Sequence, residues 1–293
     1  MSHCINLYRN KIIQNIEPWV MENIQYESVM GSQAYGVSND DSDLDLYAVT
    51  IPPKEVVFPH LQGCIPGFGK QAKAFNNYQQ HHVEYNGKSH DLNVYNIVKY
   101  FHLVMDNNPN MIDSLFVRQQ SVTHQTKIAQ MIRDNRHLFL HKGAWHRFRG
   151  YAYSQLKKVK NKKPEGPRKE LVEKYGYDVK FAYHLVRLLD EIEQVLEHGD
   201  IDLMRDRERL KAIRRGEFTL EELESSFYAK EQRLEQLYHT STLPKYPDEE
   251  RIKQLLIDCL EEFYGSIDDT AVRQVGEYER AVQQIKSIVG RLT

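Results

Sequence analysis

No run of apolar residues in the 293-residue chain approaches the roughly 20 positions that a membrane-crossing helix needs. The stretch MSHCINLYRNKIIQNIE carries charges where a secretory leader would hold its apolar segment, so a cytoplasmic protein with no membrane association is expected. Cysteine is scarce. Cys4, Cys64 and Cys259 are far apart, odd in number and form no CxxC pair, which argues against a disulfide framework or a thiolate zinc site. A surplus of one charge is missing as well: a formal net charge of −2 excludes nucleic-acid binding by overall charge and leaves that role to local patches. The 13 histidines are dispersed without metal-ligand spacing, His81-His82 and His102 among them, and there is no internal repeat.

What is present is ordinary for a folded protein, 41% hydrophobic and 27% charged, with length for one large or two modest domains. The first part mixes strand and helix signals. An amphipathic helix is expected over 5–16, a strand over 26–30, and a second over 43–51, where DLDLYAVTI alternates before Pro52-Pro53. HHVEY, Asn86-Gly87 and KSHDLNVY read as a hairpin, because Asn-Gly tolerates the positive φ angles of a two-residue turn. Residues 52–80 read as a long, partly irregular connection. From about residue 95 the spacing turns helical, with segments at 145–160, 177–197, 205–214, 219–238 and 248–263 and a closing helix over 268–290. The expected class is α+β: a small mixed sheet with flanking helices over 1–120, then a mainly helical domain over 121–293, with a cleft between them for substrate.

The chemistry concentrates in GSQAYGVSNDDSDLDL, residues 31–46. Gly31 and Ser32 follow a strand and open a helix-like turn, where backbone N–H groups and a small hydroxyl can approach a phosphate. Asp43 and Asp45 stand two apart on a strand, so their carboxylates share one face while Leu44 and Leu46 take the other. Two such carboxylates repel unless a cation lies between them, and magnesium favours carboxylate, phosphate and water oxygens. Asp91 on the neighbouring hairpin supplies a third carboxylate if its strand pairs with the same face outward. Asp40 and Asp41 read as a solvated turn.

Gly-Ser followed after about ten residues by Ser-Asp-x-Asp resembles the DNA polymerase β nucleotidyltransferase superfamily. The stretches DLNVYNIVKYFHLVMDNNPNMIDSLF, GYAYSQLKKV, KFAYHLVRLLDEIEQVLEHGDI and RRGEFTLEEL resemble its RlaP group, polymerase β-like enzymes linked to RNA repair. The likeness covers roughly residues 28–225. It implies a nucleotidyltransferase core in which Asp43, Asp45 and Asp91 hold Mg2+ or Mn2+ and do the catalysis. Gly31, Ser32 and Ser42 would then lie along a nucleoside triphosphate, with pyrophosphate leaving.

Other readings remain beside it. Lys180, His184 and Arg187, spaced i, i+4, i+7, form either a solvated stripe or contacts to a triphosphate or acceptor, and the K…HLVRLL pattern of the resembled family favours contacts. The basic, aromatic stretch 146–169, with Lys157, Lys158, Lys160, Lys162 and Lys163, suits a polynucleotide surface or simply a packed helix with a solubilising loop. The leading acceptor is an RNA or other nucleic-acid end. A small-molecule or protein hydroxyl is the alternative, and a non-catalytic nucleotide-sensing or antitoxin-like module is a third reading, disfavoured by the intact carboxylate set.

Overall fold

A computed structural model describes residues 2–39, 42–65, 67–71, 74–161 and 167–267, with isolated positions further on. Two helices, α1 (His3–Arg9) and α2 (Pro18–Glu22), precede β1 (Ile24–Val29). The single turn α3 (Gly31–Ala34) then leads to β2 (Leu44–Thr50), and α4 (Lys54–Val57) follows. The hairpin β3 (Asn77–Tyr85) and β4 (Lys88–Asn96) closes on Asn86 and Gly87, both at positive φ. After α5 (Ile97–Met105) and α6 (Pro109–Phe116) comes the short β5 (Val122–Gln125). The remainder is helical: α7 (Lys127–Asp134), α8 (Ala144–Asn161), α9 (Pro167–Tyr175), α10 (Val179–His198), α11 (Arg207–Arg214), α12 (Leu220–Thr240) and α13 (Glu249–Tyr264).

The strands form one mixed sheet in the order β3-β4-β2-β1-β5, with β2 and β4 parallel and the other pairs antiparallel. Alternation along β2 and β4 sorts side chains onto two faces. Leu46, Ala48, Leu92 and Val94 pack beneath α1 and α2 with Leu7, Val20 and Met21. Val49 on the other face joins a larger core with Ile97, Tyr100, Trp145, Phe148 and Leu188, so the sheet and the helical body share one apolar interior. The central α10 starts on an Asp178 cap whose carboxylate accepts from the backbone N–H groups of Lys180 and Phe181, and it stops at Gly199 in the left-handed region.

The α+β class is as expected, with differences in detail. The first helix ends at Arg9 rather than running to 16, because Lys11 and Asn15 adopt positive φ (59° and 57°) that a right-handed helix cannot contain. β5 lies past residue 120 and completes the sheet, so the sheet-bearing part extends beyond the expected boundary. Asp40, Asp41, Lys162 and Lys163 lie outside the described residues, as does most of the closing segment 268–290.

Glu27 on β1 is fully buried and ties the N-terminus to the sheet. Its carboxylate accepts from Ser2 Oγ (2.5 Å), His3 N (2.6 Å), Cys4 N (2.9 Å) and Thr123 Oγ1 (2.6 Å). Glu27→Ala leaves those donors without an acceptor and should lower unfolding free energy by about 2–4 kcal/mol. Urea denaturation measures this; a loss no larger than that of an exposed Glu→Ala change would contradict it.

Candidate active site

β1 and β2 run antiparallel, and this brings the turn after β1 against the start of β2, with Met30 N donating to Asp45 O at 2.7 Å. Gly31 has φ +61°, and a Cβ built on it would sit 1.7 Å from Asp45 Oδ2. Only glycine satisfies both the backbone angle and the space. Downstream, Asn39 and Ser42 lock a second turn: Ser42 Oγ donates to Asn39 Oδ1 (2.6 Å) and accepts from Asn39 N (2.9 Å). That turn delivers Asp43, exposed just before β2, and Asp45 follows on the strand.

Asp91 faces the same way. In the parallel β2–β4 pair its register partner is Asp45, and such partners project from one side of the sheet. The condition set on this residue by its sequence is therefore met by the pairing. Asp91 accepts from His82 N (2.8 Å) and meets His81 Nδ1 at 2.9 Å rather than His90 or Lys88. A register shift between Gln80 and Val83, with His82 at φ 54°, aims both groups at it.

Crowding shows in proton affinity. Burial, then the charges of Asp91 and Asp43, push the Asp45 carboxyl up to about 6, against partial relief from His81 and Lys180. For Asp91 burial also acts upward, but the His82 N–H and the His81 ring outweigh it and hold the carboxyl below its usual range. The donor set thus suits a divalent cation chemically: oxygen ligands that repel one another on one face. Among the described residues no three acidic, histidine or cysteine side chains yet converge on a single point as a closed metal site.

Asp43 and Asp45 border a cavity of about 540 Å3. Gly31, Ser32, Ser42, Asp43 and Asp45 line the sheet side, and Lys180 and His184 line the α10 side. Asp91 lies beside Asp45 but outside the lining. The cavity also uses Tyr47, Asn110, Tyr183 and Arg214, which sequence reasoning missed. Tyr47 had a signal, since it stands two residues beyond Asp45 and so shares its face. Arg214 lies in the RRGEFT stretch, but nothing local to that stretch shows that α11 reaches the cleft.

Arg187 is a correction: it does not line the cavity. Only 3% exposed, it is bound to Asp113 and to Glu191 (2.9 Å), with its guanidinium 4.1 Å from the centre of the Tyr35 ring. Tyr35 lines the cavity and donates its hydroxyl to Asp113 Oδ2 at 2.9 Å. One guanidinium faces two fully buried carboxyls; burial, with the Asp113 charge adding to it, raises Glu191 well above its usual range despite Arg187. One proton shared by the two carboxyls would neutralise the cluster.

The raised Asp45 value fixes a sign. Folded Asp45 keeps its proton to a higher pH than the unfolded chain does, so its contribution to stability falls as pH rises from about 4 to 6 and stays low above that. Asp45→Asn should therefore stabilise the metal-free protein at pH 7 by roughly 1–3 kcal/mol and have almost no effect near pH 4. Urea melts in chelator at both pH values decide it; an equal effect at both would contradict the assignment.

The profile of the RNA repair pathway DNA polymerase beta family, RlaP, matches residues 8–258. No curated protein matches. Among solved structures, a nucleotidyltransferase-like protein from Exiguobacterium sibiricum aligns at 12% identity over 88% of this chain and 78% of that one, with a TM-score of 0.28. A likeness that distant carries no argument. Among the described residues no helix is long and apolar enough to cross a membrane. The family profile spans most of the sequence, including the Gly31-Ser32 turn and all three aspartates, and the chain belongs to the RlaP family of polymerase β-type nucleotidyltransferases.

Proposed function

We propose that this chain transfers a nucleotidyl group from a nucleoside triphosphate to a hydroxyl at an RNA end. The observation that carries the reading is the placement of Asp43, Asp45 and Asp91 on one face beside the Gly31-Ser32 turn, with Asp45 holding its proton to about pH 6. Magnesium or manganese bound by these carboxylates would supply Lewis acidity toward the phosphate and acceptor oxygens. The backbone at Gly31 and the hydroxyls of Ser32 and Ser42 line the path of the triphosphate. Lys180, with His184 beside it on α10, faces the carboxylates across the cavity and attracts the phosphates.

As the acceptor oxygen bonds to the α-phosphorus, the bond to the β-phosphate oxygen breaks and pyrophosphate leaves. Asp91, beside Asp45 on the neighbouring strand, would take the acceptor proton, a role supported by the His81 contact that orients its carboxylate. RNA as acceptor is supported by the repair pathway named for the family. The α8 lysines add less than their number suggests: Lys160 pairs with Glu224 at 2.9 Å and Lys158 rests 5.4 Å from the centre of the Phe181 ring.

Labelled triphosphate, magnesium or manganese and RNA test the reading directly. Asp43→Asn should reduce transfer at least about 100-fold with the fold intact. Asp91→Asn should lose turnover yet bind triphosphate normally, and equal loss of binding in the two variants would refute the division between them. Lys180→Ala should raise the triphosphate KM more than it lowers kcat. If RNA is the acceptor, log affinity should fall with log salt by about 0.7 for each phosphate contacted, whereas a shallow slope with turnover on a small hydroxyl compound would replace RNA.

A further inference from the structure

Beside the first cavity lies a second, of about 320 Å3, and the two share Asn39, Leu171, Lys180 and Arg214. Lys211 and Arg215, at the end of α11, extend its wall, so four cations border one small space. None of the described residues lining it carries a carboxylate, whereas the first cavity holds Asp43 and Asp45. Arg214 is fixed at the partition: its guanidinium donates to Val37 O and lies 5.4 Å from the centre of the Tyr183 ring. Lys211 and Arg215 pair with Glu208 (3.2 Å) and Glu217 (2.5 Å), glutamates whose side chains are more than half exposed. Exposed pairs of that kind contribute little and give way readily to a multivalent anion.

We infer that the second cavity receives the inorganic pyrophosphate released by transfer, an assignment that rests on the nucleotidyl-transfer reading above. When the acceptor oxygen bonds to the α-phosphorus, the electron pair of the α–β bridging P–O bond departs with the leaving group. Pyrophosphate then carries concentrated negative charge in a cavity that also contains carboxylates. Lys180 and Arg214 touch both spaces and can hand the anion across, and Lys211 and Arg215 hold it in place of Glu208 and Glu217, in a lining that carries no carboxylate among the described residues. A polynucleotide fits this place less well. The acceptor must reach Asp91, which borders neither cavity, and the second cavity opens off the wall formed by Lys180 and Arg214.

Calorimetric titration of the full chain with pyrophosphate and magnesium provides the test. The double variant Lys211→Gln/Arg215→Gln should weaken pyrophosphate binding about tenfold while a non-hydrolysable triphosphate changes less than about twofold. Lys180→Ala should weaken both ligands, and the charge-keeping pair Lys211→Arg/Arg215→Lys should restore pyrophosphate binding. In the transfer assay the double variant should show correspondingly weaker inhibition by added pyrophosphate. Unchanged pyrophosphate affinity in the double variant overturns the inference, as does loss of RNA affinity with pyrophosphate binding intact, which would give the cavity to the polynucleotide. If the variants behave as expected toward pyrophosphate but the wild-type chain transfers to no acceptor, the transfer reading falls and the anion site stands.

Discussion

The carboxylate of Asp45 occupies the volume that a side chain at position 31 would need. That contact joins the two segments on which the site depends, because the Gly31 turn closes on β2 only while the turn carries no Cβ and the strand keeps its antiparallel register with β1. The polar groups on the sheet side of the cleft are arranged around this junction. Asp43 follows from the Asn39–Ser42 turn and Asp91 from the parallel β4, and the Gly31 turn shares the cavity lining with Asp43 and Asp45. The cost is electrostatic: three carboxylates on one face, one of them partly protonated near neutrality.

A second polar cluster supports the turn from below. Tyr35 leaves the turn, covers Arg187 with its ring and donates its hydroxyl to Asp113 of α6. Arg187 joins Asp113 to Glu191, so the end of the α3 turn, α6 and α10 meet at one buried guanidinium. Burying such groups costs desolvation that their mutual attraction only roughly offsets, and the cluster contributes orientation more than net stability. With Tyr35 held at both ring face and hydroxyl, the cavity floor keeps one shape. α10 therefore serves the cleft twice, through Lys180 and His184 at its edge and through Arg187 beneath it.

Much of the frame was legible because its signals are local. Alternation in DLDLYAVTI, the Asn86-Gly87 turn and the periodic helices between 145 and 263 each depend on neighbours in sequence, and each of these lies close to its expected place. The misses have physical causes. Four residues of β5 carry too little alternation to announce a strand, and positive φ at Lys11 and Asn15 leaves no trace in composition. The bulge that turns His81 toward Asp91 is a property of strand pairing, invisible in HHVEY itself. Arg187 shows the limit of helical spacing: seven residues restore the same face but advance about 10 Å along the axis, which carries the side chain from the cavity edge into the interior. Periodicity gave the stripe, and only packing shows where the cleft ends.

Charge is divided between the two halves of the cleft. The sheet contributes the carboxylates, while α10 and α11 contribute Lys180, Arg214 and their neighbours, and a single apolar core holds these opposed walls together across the expected boundary at 120. Compensation on the sheet side is partial: His81 and, across the cavity, Lys180 lower the Asp45 carboxyl without cancelling the effect of burial and its neighbouring carboxylates. A ligand combining divalent cations with a polyphosphate would satisfy both walls at once: the cations relieve the carboxylates and the phosphates meet the lysine and arginine. Neither component alone does this, because a bare polyphosphate is repelled by the sheet and a bare cation leaves the helical wall unpaired. On the proposed nucleotidyl-transfer reading, opposed walls of this kind would select the complex of metal and triphosphate over either part, through charge placement that the shared core keeps fixed.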